Sequence, residues 1–308
     1  MKSRKFLYLF QAVIFLLLIT FFSCKPKEEG FTFAFLTDIH IQPEGVATEG
    51  FSKAIEKINE IKPDFVITGG DLIMDALGQT YGRADSLYKL YQEMSGDFNM
   101  PVYNTMGNHE VFGLYEESGI DSTHEFYWEK LFEKFLGKRY YAFNHKGWRF
   151  YILDSVDEHP DGGYYGHVSQ DQIDWLSEDL KQVDKETPIV LSVHIPFITV
   201  QNMINKGSYT PNSKGNTIKN SKQVLDLFQD YNLKLALQGH LHVLENMYTR
   251  DIYYITSGAV CARWWAGPYR GTGEGFLLIT TEGDDFEWEY MDYGWHAPVV
   301  KDEWSDEG

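Results

Sequence analysis

The fold is decided by the stretch FTFAFLTDIH, which spans residues 31–40. Its first seven residues are apolar, aromatic or β-branched, a composition typical of a buried strand. Asp38 and His40 follow directly, and their spacing of two puts both side chains on the same side of an extended segment. A buried strand that runs straight into Asp and His predicts a site at the carboxyl end of a sheet.

Strands and helices alternate through the first third of the chain. Helices are predicted over residues 50–61, where apolar residues recur at helical spacing until Pro63 stops the helix, and over 85–98. Strands at 64–68 and 101–105 complete an alternation that is typical of a parallel sheet with helical crossovers. Further predicted elements are helices at 123–135, 170–183 and 221–231, a hairpin at 140–154, and strands at 188–193, 233–237, 245–249, 252–256, 276–281 and 286–290. Two sheets packed face to face with helices outside satisfy this pattern.

Five blocks of Asp, Asn and His fall at the carboxyl ends of predicted strands. They are Asp38-Ile39-His40, Gly69-Gly70-Asp71, Gly107-Asn108-His109-Glu110, His194 and Gly239-His240-Leu241-His242. Strand ends that point the same way would bring these blocks together although they are far apart in sequence. Carboxylate, imidazole and amide oxygen together suit Mn, Fe or Zn rather than Ca or Mg alone. Any single block is a weak signal, but the ordered set of five predicts a metal centre.

The ordered set resembles the signature of the calcineurin-like metallophosphoesterases, and the match runs over residues 33–242. The resemblance implies an α/β (α+β) fold, namely a four-layer αββα sandwich of two mixed sheets with helices outside. It also implies hydrolysis of phosphate monoesters or diesters with two divalent or trivalent metal ions (Mn, Fe or Zn). Residues 153–155, 172–176 and 194–196 resemble the secreted and cyclic-nucleotide-phosphodiesterase-like branch.

The resemblance further implies a role for each polar residue. One metal would be held by Asp38, His40, Asp71 and His242, and the other by Asp71, Asn108, His194 and His240. The implied catalytic residues are Asp71, which bridges the metals, and His109, which protonates the leaving oxygen or stabilises the transition state. Two such cations polarise phosphoryl oxygens and make hydroxide from bound water. Purple acid phosphatases have a tyrosine and a non-histidine residue where Met74 and His40 stand, which argues against that type.

Five more residues near these blocks have two interpretations each: Glu110, Asp75, Trp264, Trp265 and Arg263. Glu110 could orient or charge-stabilise His109, or be a solvated loop acid. Asp75 could support the ligands or be an acid at the start of a helix. Trp264 and Trp265 could stack on a nucleobase or sugar, but a hydrophobic corner of the core is the favoured interpretation. Arg263 could clamp a phosphate or lie on the surface, the commoner case.

The N-terminus resembles a bacterial export signal, with a basic start and an apolar run over residues 6–22. Ser23-Cys24 resembles the end of a lipoprotein box, so that Cys24 would carry lipid. The predicted division is a signal peptide at 1–23, a tether at 24–30, the phosphoesterase domain at 31–299 and an acidic tail at 300–308. The alternatives are soluble secretion and an uncleaved anchor helix, although the run is short for the roughly 20 residues that a spanning helix needs. We therefore expect an exported, membrane-anchored lipoprotein that faces the periplasm or the cell surface.

The charge balance bears on the partners. The chain has a formal net charge of -18, and removal of residues 1–23 leaves 24 basic against 45 acidic side chains. Such a surface repels nucleic-acid backbones, so we expect no nucleic-acid partner. A small phosphorylated substrate is still compatible with this negative charge, because bound cations reverse the local electric field. The competing hypothesis is a non-catalytic, metal-stabilised surface binding protein, which would be expected to have lost at least one ligand.

Overall fold

The computed structural model describes residues 30–298 and residue 300. The predicted signal peptide, nearly all of the tether and most of the acidic tail lie outside this part of the chain. Within it, no helix is both long and apolar enough to cross a membrane.

The first sheet has five strands in the order β13-β12-β1-β2-β3. Its strands are β1 (Thr32–Leu36), β2 (Phe65–Thr68), β3 (Val102–Asn104), β12 (Phe276–Glu282) and β13 (Asp285–Met291). β1, β2 and β3 are parallel and are joined by the crossover helices α1 (Ala47–Ile61) and α2 (Tyr81–Ser95). The carboxyl ends of these three strands therefore meet at one edge of the sheet.

The second sheet has six strands in the order β10-β11-β9-β8-β5-β4. Its strands are β4 (Tyr141–His145), β5 (Trp148–Ile152), β8 (Ile189–Ser192), β9 (Leu233–Gln238), β10 (Glu245–Thr249) and β11 (Ile252–Thr256). The four inner strands are parallel, and the edge strands β4 and β10 are antiparallel to their neighbours. A separate hairpin and four shorter helices complete the fold: β6 (Val156–Glu158), β7 (Tyr164–Gly166), α3 (Lys130–Leu136), α4 (Gln170–Leu180), α5 (Gln201–Lys206) and α6 (Ser221–Asp226).

An aromatic core joins the two sheets. Alternation along β1 puts Phe33 and Phe35 between the sheets and turns the residues beside them toward the helices. The rings of Phe33 and Phe65 lie 5.4 and 5.3 Å from the ring of Phe150 in the second sheet. Because each sheet has one face against the other sheet and one face toward the helices, its inner strands are mainly apolar. This arrangement confirms the predicted α/β fold of two mixed sheets packed face to face.

The helix predicted over residues 123–135 is wrong in its first half, since α3 begins only at Lys130. The Asp121 Oδ1 atom accepts the Thr123 backbone N–H at 2.8 Å and closes a turn. Trp128 then exchanges backbone hydrogen bonds with Phe112 at 2.9 and 3.2 Å and has a φ of 63°. Local helical spacing is overridden here by a pairing between distant segments.

The chain enters the first sheet at the end opposite to the ligand blocks. Gly30 precedes the amino end of β1, whereas Asp38 follows its carboxyl end. A Cβ atom at Gly30 would lie 2.3 Å from the carbonyl oxygen of Thr281, so the entering chain is held tightly against β12. At about 3.3 Å per residue, the five residues of β1 separate the two ends by roughly 17 Å.

Candidate metal centre

The structure brings all seven predicted ligands together at the carboxyl ends of both sheets. They are Asp38 and His40 after β1, Asp71 after β2, Asn108 after β3, His194 after β8, and His240 and His242 after β9. All are buried except His240, which is half-buried. Ligand atoms of Asp71, His194 and His240 all lie within 4.8 Å of one another, and nitrogen atoms of His40 and of the non-ligand His109 lie equally close to Asp71. The parallel strands thus gather the five sequence blocks as expected.

Five of these ligands adopt left-handed backbone conformations. The φ angles are 55° at Asp38, 48° at His40, 51° at Asp71, 72° at His240 and 56° at His242. Such a conformation costs a non-glycine residue on the order of 1–3 kcal/mol and is concentrated at functional sites. Backbone hydrogen bonds from Asp38 to Gly70 at 3.0 Å and from His40 to Asp71 at 2.9 Å hold the first two loops in place. The backbone therefore turns sharply after the strands so that the side chains converge.

One half of the site is formed by Asp38, His40 and His242. The Nε2 atoms of His40 and His242 are only 3.2 Å apart, and His242 Nε2 lies 3.3 Å from Asp38 Oδ1. His242 Nδ1 donates to the carbonyl oxygen of Ala262 at 2.5 Å, which leaves the Nε2 lone pair directed into the site. Two imidazole nitrogens and a carboxylate oxygen that converge in this way fit one cation.

The other half is formed by Asn108, His194 and His240. His194 Nε2 lies 3.0 Å from Asn108 Oδ1 and 3.2 Å from His240 Nδ1. His194 Nδ1 donates to the Gly69 carbonyl oxygen at 2.8 Å, so its Nε2 also faces inward. This donor set of amide oxygen and two imidazoles fits a second cation.

The Asp71 carboxylate lies between the two halves. Its Oδ2 atom is 3.1 Å from His194 Nε2 and 3.7 Å from His40 Nε2. Its Oδ1 atom accepts the backbone N–H of His109 at 2.9 Å, which fixes the plane of the carboxylate. A carboxylate oxygen that reaches both donor sets is placed to bridge two cations.

The electrostatics of the site keep the carboxylates ionised. Burial alone would raise the pKa of Asp38, but the adjacent His242 outweighs it and lowers that pKa to about 2. The pKa of Asp71 is likewise held well below its ordinary value, because His194 and His109 offset its burial. Burial and the proximity of His194 lower the pKa of His240 to about 4, so this imidazole stays neutral. Ionised carboxylates and a neutral imidazole are the forms that bind metal. Although burial opposes it, the adjacent carboxylates raise the pKa of His194 to about 9 and that of His242 above its ordinary value, so a bound metal would have to displace a proton from each of these two rings.

His109 stands at the rim of the site. Its Nε2 atom lies 3.8 Å from Asp71 Oδ2, and its side chain is 22% exposed, whereas the ligand side chains around it are nearly all covered. Its Nδ1 atom makes a short hydrogen bond to the carbonyl oxygen of Met74. With Nδ1 held by the backbone, Nε2 is the nitrogen that faces the site.

Glu110 is not solvated, so the loop-acid interpretation is wrong, and its hydrogen bonds go to backbone N–H groups of the ligand loops rather than to the His109 side chain. It is fully buried, and its carboxylate accepts backbone N–H groups of Gly107, Asp71 and Leu72 at 2.7–2.8 Å and of Ile73 at 3.2 Å. Burial raises the pKa of Glu110 to about 8, against the effect of these N–H donors. The side chain thus ties the loop after β2 to the loop after β3.

Asp75 does not begin a helix, because α2 starts at Tyr81. Its carboxylate accepts the backbone N–H of Leu77 at 2.7 Å and the side-chain amide of Gln79 at 3.3 Å. Asp75 therefore closes the turn that follows Met74, and the hydrogen bonds of its carboxylate go to this turn rather than to the ligands.

The two adjacent tryptophans have different environments. Trp264 is half-buried, and its ring centroid lies 4.6 Å from that of His242 and 6.1 Å from that of His40. Trp265 is buried and donates from Nε1 to the His40 carbonyl oxygen at 3.2 Å. The core interpretation therefore fits Trp265 but not Trp264. Arg263 is only 2% exposed, so the surface interpretation is wrong for it.

Two tyrosines at the site were not predicted. The ring of Tyr164 in β7 lies 6.3 Å from that of His240, and the ring of Tyr269 lies 6.2 Å from that of His242. Tyrosine is common in this chain, with 20 copies, so residue type gave no signal. For Tyr269, the proximity to Gly267-Pro268 after the last ligand block was the one available hint.

Comparisons with known proteins agree with this geometry. The family described as calcineurin-like phosphoesterase matches residues 31–244. A 3′,5′-cyclic-nucleotide phosphodiesterase of Nostoc is 22% identical over 73% of this chain and 77% of its own length. A 3′,5′-cyclic adenosine monophosphate phosphodiesterase of Haemophilus influenzae is 24% identical over 73% of this chain and 75% of its own. The crystal structure of a dimetal phosphatase from Danio rerio superposes with a TM-score of 0.58 at 14% identity, covering 86% of this chain and 99% of that one.

Proposed function

Since this chain belongs to the calcineurin-like phosphoesterase family and is a phosphoric ester hydrolase, we propose that it cleaves small phosphate esters with two metal ions. The observation that carries the proposal is the position of Asp71 Oδ2, 3.7 Å from His40 Nε2 and 3.1 Å from His194 Nε2. A single carboxylate oxygen between two converging donor sets is the arrangement that a dinuclear centre needs.

The ligand assignment follows the two halves of the site. Asp38, His40 and His242 would hold one ion, Asn108, His194 and His240 the other, and Asp71 both. The donors suit Mn, Fe or Zn. When bound, two such ions polarise the phosphoryl oxygens and lower the pKa of water, so that hydrolysis proceeds near neutral pH.

His109 is the proposed proton donor to the leaving oxygen. Because its Nδ1 is engaged by the Met74 carbonyl, its Nε2 is left to exchange a proton with the substrate. A protonated imidazole can give its proton to the leaving oxygen and stabilise the negative charge that develops there. Partial exposure of the ring lets the proton be replaced from solvent after each turnover.

The substrate class remains that of small phosphoric esters, either monoesters or diesters. Two relatives that this chain resembles are named cyclic-nucleotide phosphodiesterases, which supports a diester with a nucleoside part. The competing function is that of a non-catalytic, metal-stabilised binding protein. The intact ligand set argues against it, because a protein that no longer turns over substrate has no need to keep both halves of the site.

Metal-dependent turnover tests the proposal. We expect the soluble form that begins at Lys25 to hydrolyse 4-nitrophenyl phosphate, bis(4-nitrophenyl) phosphate or both when loaded with Mn²⁺, and to lose this activity on chelation and regain it on reloading. The ratio of the two rates separates a monoesterase from a diesterase. Two bound metals without turnover of either ester or of a broader ester panel would favour the binding protein.

We also propose that the protein is exported and anchored to a membrane by lipid on Cys24, as the signal-like residues 1–23 indicate. Multiple acylation of one cysteine makes such an anchor stable. In cells, Cys24→Ser is expected to move the protein out of the membrane fraction, whereas Cys261→Ser, at a buried cysteine in the domain, should leave it there. Retention of the Cys24→Ser protein in membranes would instead favour an uncleaved anchor helix.

A further inference from the structure

The loop that follows β11 carries an unusual concentration of left-handed residues. The φ angles are 45° at Ala262, 45° at Trp264, 66° at Trp265 and 50° at Arg270. None of these is glycine, and bulky side chains avoid this conformation unless the surroundings enforce it. Backbone strain of this kind is typical of segments that hold a side chain for a function.

Several contacts hold this loop against the ligand-bearing loop after β1. The backbone N–H of Cys261 donates to the Asp38 carbonyl oxygen at 3.3 Å, and within the loop the backbone N–H of Trp265 donates to the Cys261 carbonyl oxygen at 2.8 Å. The Trp265 indole donates to the carbonyl oxygen of His40 at 3.2 Å. A Cβ atom at Gly50 in α1 would lie only 2.2 Å from the Trp265 ring, so a glycine there makes room for the indole. Trp265 thus anchors the loop, and its neighbour is positioned as a consequence.

That neighbour, Trp264, extends the metal site with an aromatic surface. Its ring is inclined by 36° to the ring of His242 at 4.6 Å, and the ring of Tyr269 meets it nearly edge-on at 6.0 Å. Trp265 belongs to the hydrophobic core, whereas Trp264 does not. A half-buried indole beside a metal ligand gives an apolar wall next to the place where a phosphoryl group would bind.

We propose that Trp264 and Tyr269 form a subsite that stacks on an aromatic ring of the substrate, such as a nucleobase, beside the His40–His242 half of the centre. The proposal rests on the phosphoesterase function and narrows its substrate class to esters with an aromatic or nucleoside part. Stacking of a base on an aromatic side chain changes affinity by about ten- to a hundredfold when the side chain is removed. The alternative is that Trp264 only holds the His242 imidazole in place.

Two diesters with the same leaving group separate these roles. Thymidine 5′-(4-nitrophenyl) phosphate and methyl 4-nitrophenyl phosphate both release 4-nitrophenolate, so they differ only in the group that stays on phosphorus. We expect the Mn²⁺-loaded protein to prefer the thymidine ester at least about tenfold in kcat/KM. Trp264→Ala should abolish most of that preference, chiefly through the KM of the thymidine ester, and Trp264→Phe should keep most of it.

A matched control and a binding measurement complete the test. Tyr248→Ala removes another partly exposed aromatic ring, located in β10 away from the ligands, and should leave the preference unchanged. By calorimetry, adenosine 5′-monophosphate should bind the native metal-loaded protein at least about tenfold more tightly than ribose 5-phosphate, and Trp264→Ala should remove this difference.

The outcomes distinguish the subsite from the proposed function. Turnover without any preference for the thymidine ester, or an equal loss with both esters in Trp264→Ala, would overturn the subsite and leave the phosphoesterase standing. A base-dependent affinity that vanishes in Trp264→Ala, without turnover of any ester, would support the subsite and count against the enzyme.

Discussion

Asp71→Asn is expected to lower kcat/KM for the better of the two nitrophenyl esters by at least about a thousandfold. The bridging oxygen supplies several kcal/mol of charge complementarity to two cations, and about 4 kcal/mol corresponds to three orders of magnitude in rate. The asparagine retains Oδ1 as acceptor for the His109 N–H at 2.9 Å, so the fold should persist. Its amide, however, would stand among the Nε2 atoms of His40 and His194 without a charge. Bound metal, measured by mass spectrometry after dialysis, should fall below two ions per chain.

His109→Ala is the matched comparison, because this side chain touches the same carboxylate without belonging to either donor set. It should keep its metal and its stability while losing on the order of a hundred- to ten-thousandfold in kcat, the usual contribution of a general acid. If both variants lost metal equally, His109 would be a ligand and its assignment as proton donor would be wrong. If Asp71→Asn kept both metals and full turnover, the dinuclear mechanism would have to be abandoned.

Glu110→Ala is expected to reduce the free energy of unfolding by more than about 3 kcal/mol. Each buried donor left without an acceptor costs about 1–3 kcal/mol, and four backbone N–H groups end on this one carboxylate. Water that enters the space would recover part of the loss. Because these donors belong to Asp71, to the two residues after it and to Gly107 next to Asn108, metal affinity should fall together with stability. Denaturant titrations of the metal-free and metal-loaded forms measure both effects.

Glu117→Ala controls for the loss of an acidic side chain, since Glu117 is an exposed residue of the next loop. Its unfolding free energy should change by less than about 0.5 kcal/mol. The unfolding free energy of Glu110→Gln should lie between those of Glu110→Ala and Glu117→Ala. Its amide oxygen still accepts backbone N–H groups, but its NH₂ group faces other donors and cannot accept them. A Glu110→Ala protein as stable as the native one would mean that the two ligand loops are held by other contacts.

The ligand blocks could be predicted from sequence because each follows an apolar run that already identifies a strand. The rule that parallel strands end at one edge of a sheet was enough to predict the positions of Asp38, Asp71 and His194. The same apolar runs indicated the two sheets, since fully buried strands are apolar on both faces. Helix ends were less predictable: Trp128 pairs with Phe112, and this contact between distant segments has no local signature.

The groups that hold the site histidines in place could not be predicted from the sequence, because many of them are backbone atoms. The carbonyl groups of Met74, Gly69 and Ala262 orient three histidines, and a carbonyl group carries no residue type. The different environments of Trp264 and Trp265 depend on left-handed conformations that their sequence does not favour. Strained positions of this kind are where local rules are expected to fail at a functional site.

The direction from which the chain enters β1 has a consequence for access to the reaction. Gly30 is held at one end of the first sheet, against Thr281, and Asp38 and the other ligands are gathered at the far end. If the N-terminus were attached to a bilayer, the metal site would therefore lie on the side of the domain that faces away from the lipid. It would open into the surrounding water. Phosphate esters dissolved outside the membrane would reach the site freely, whereas lipid headgroups in the anchoring leaflet would lie on the opposite side of the domain from it.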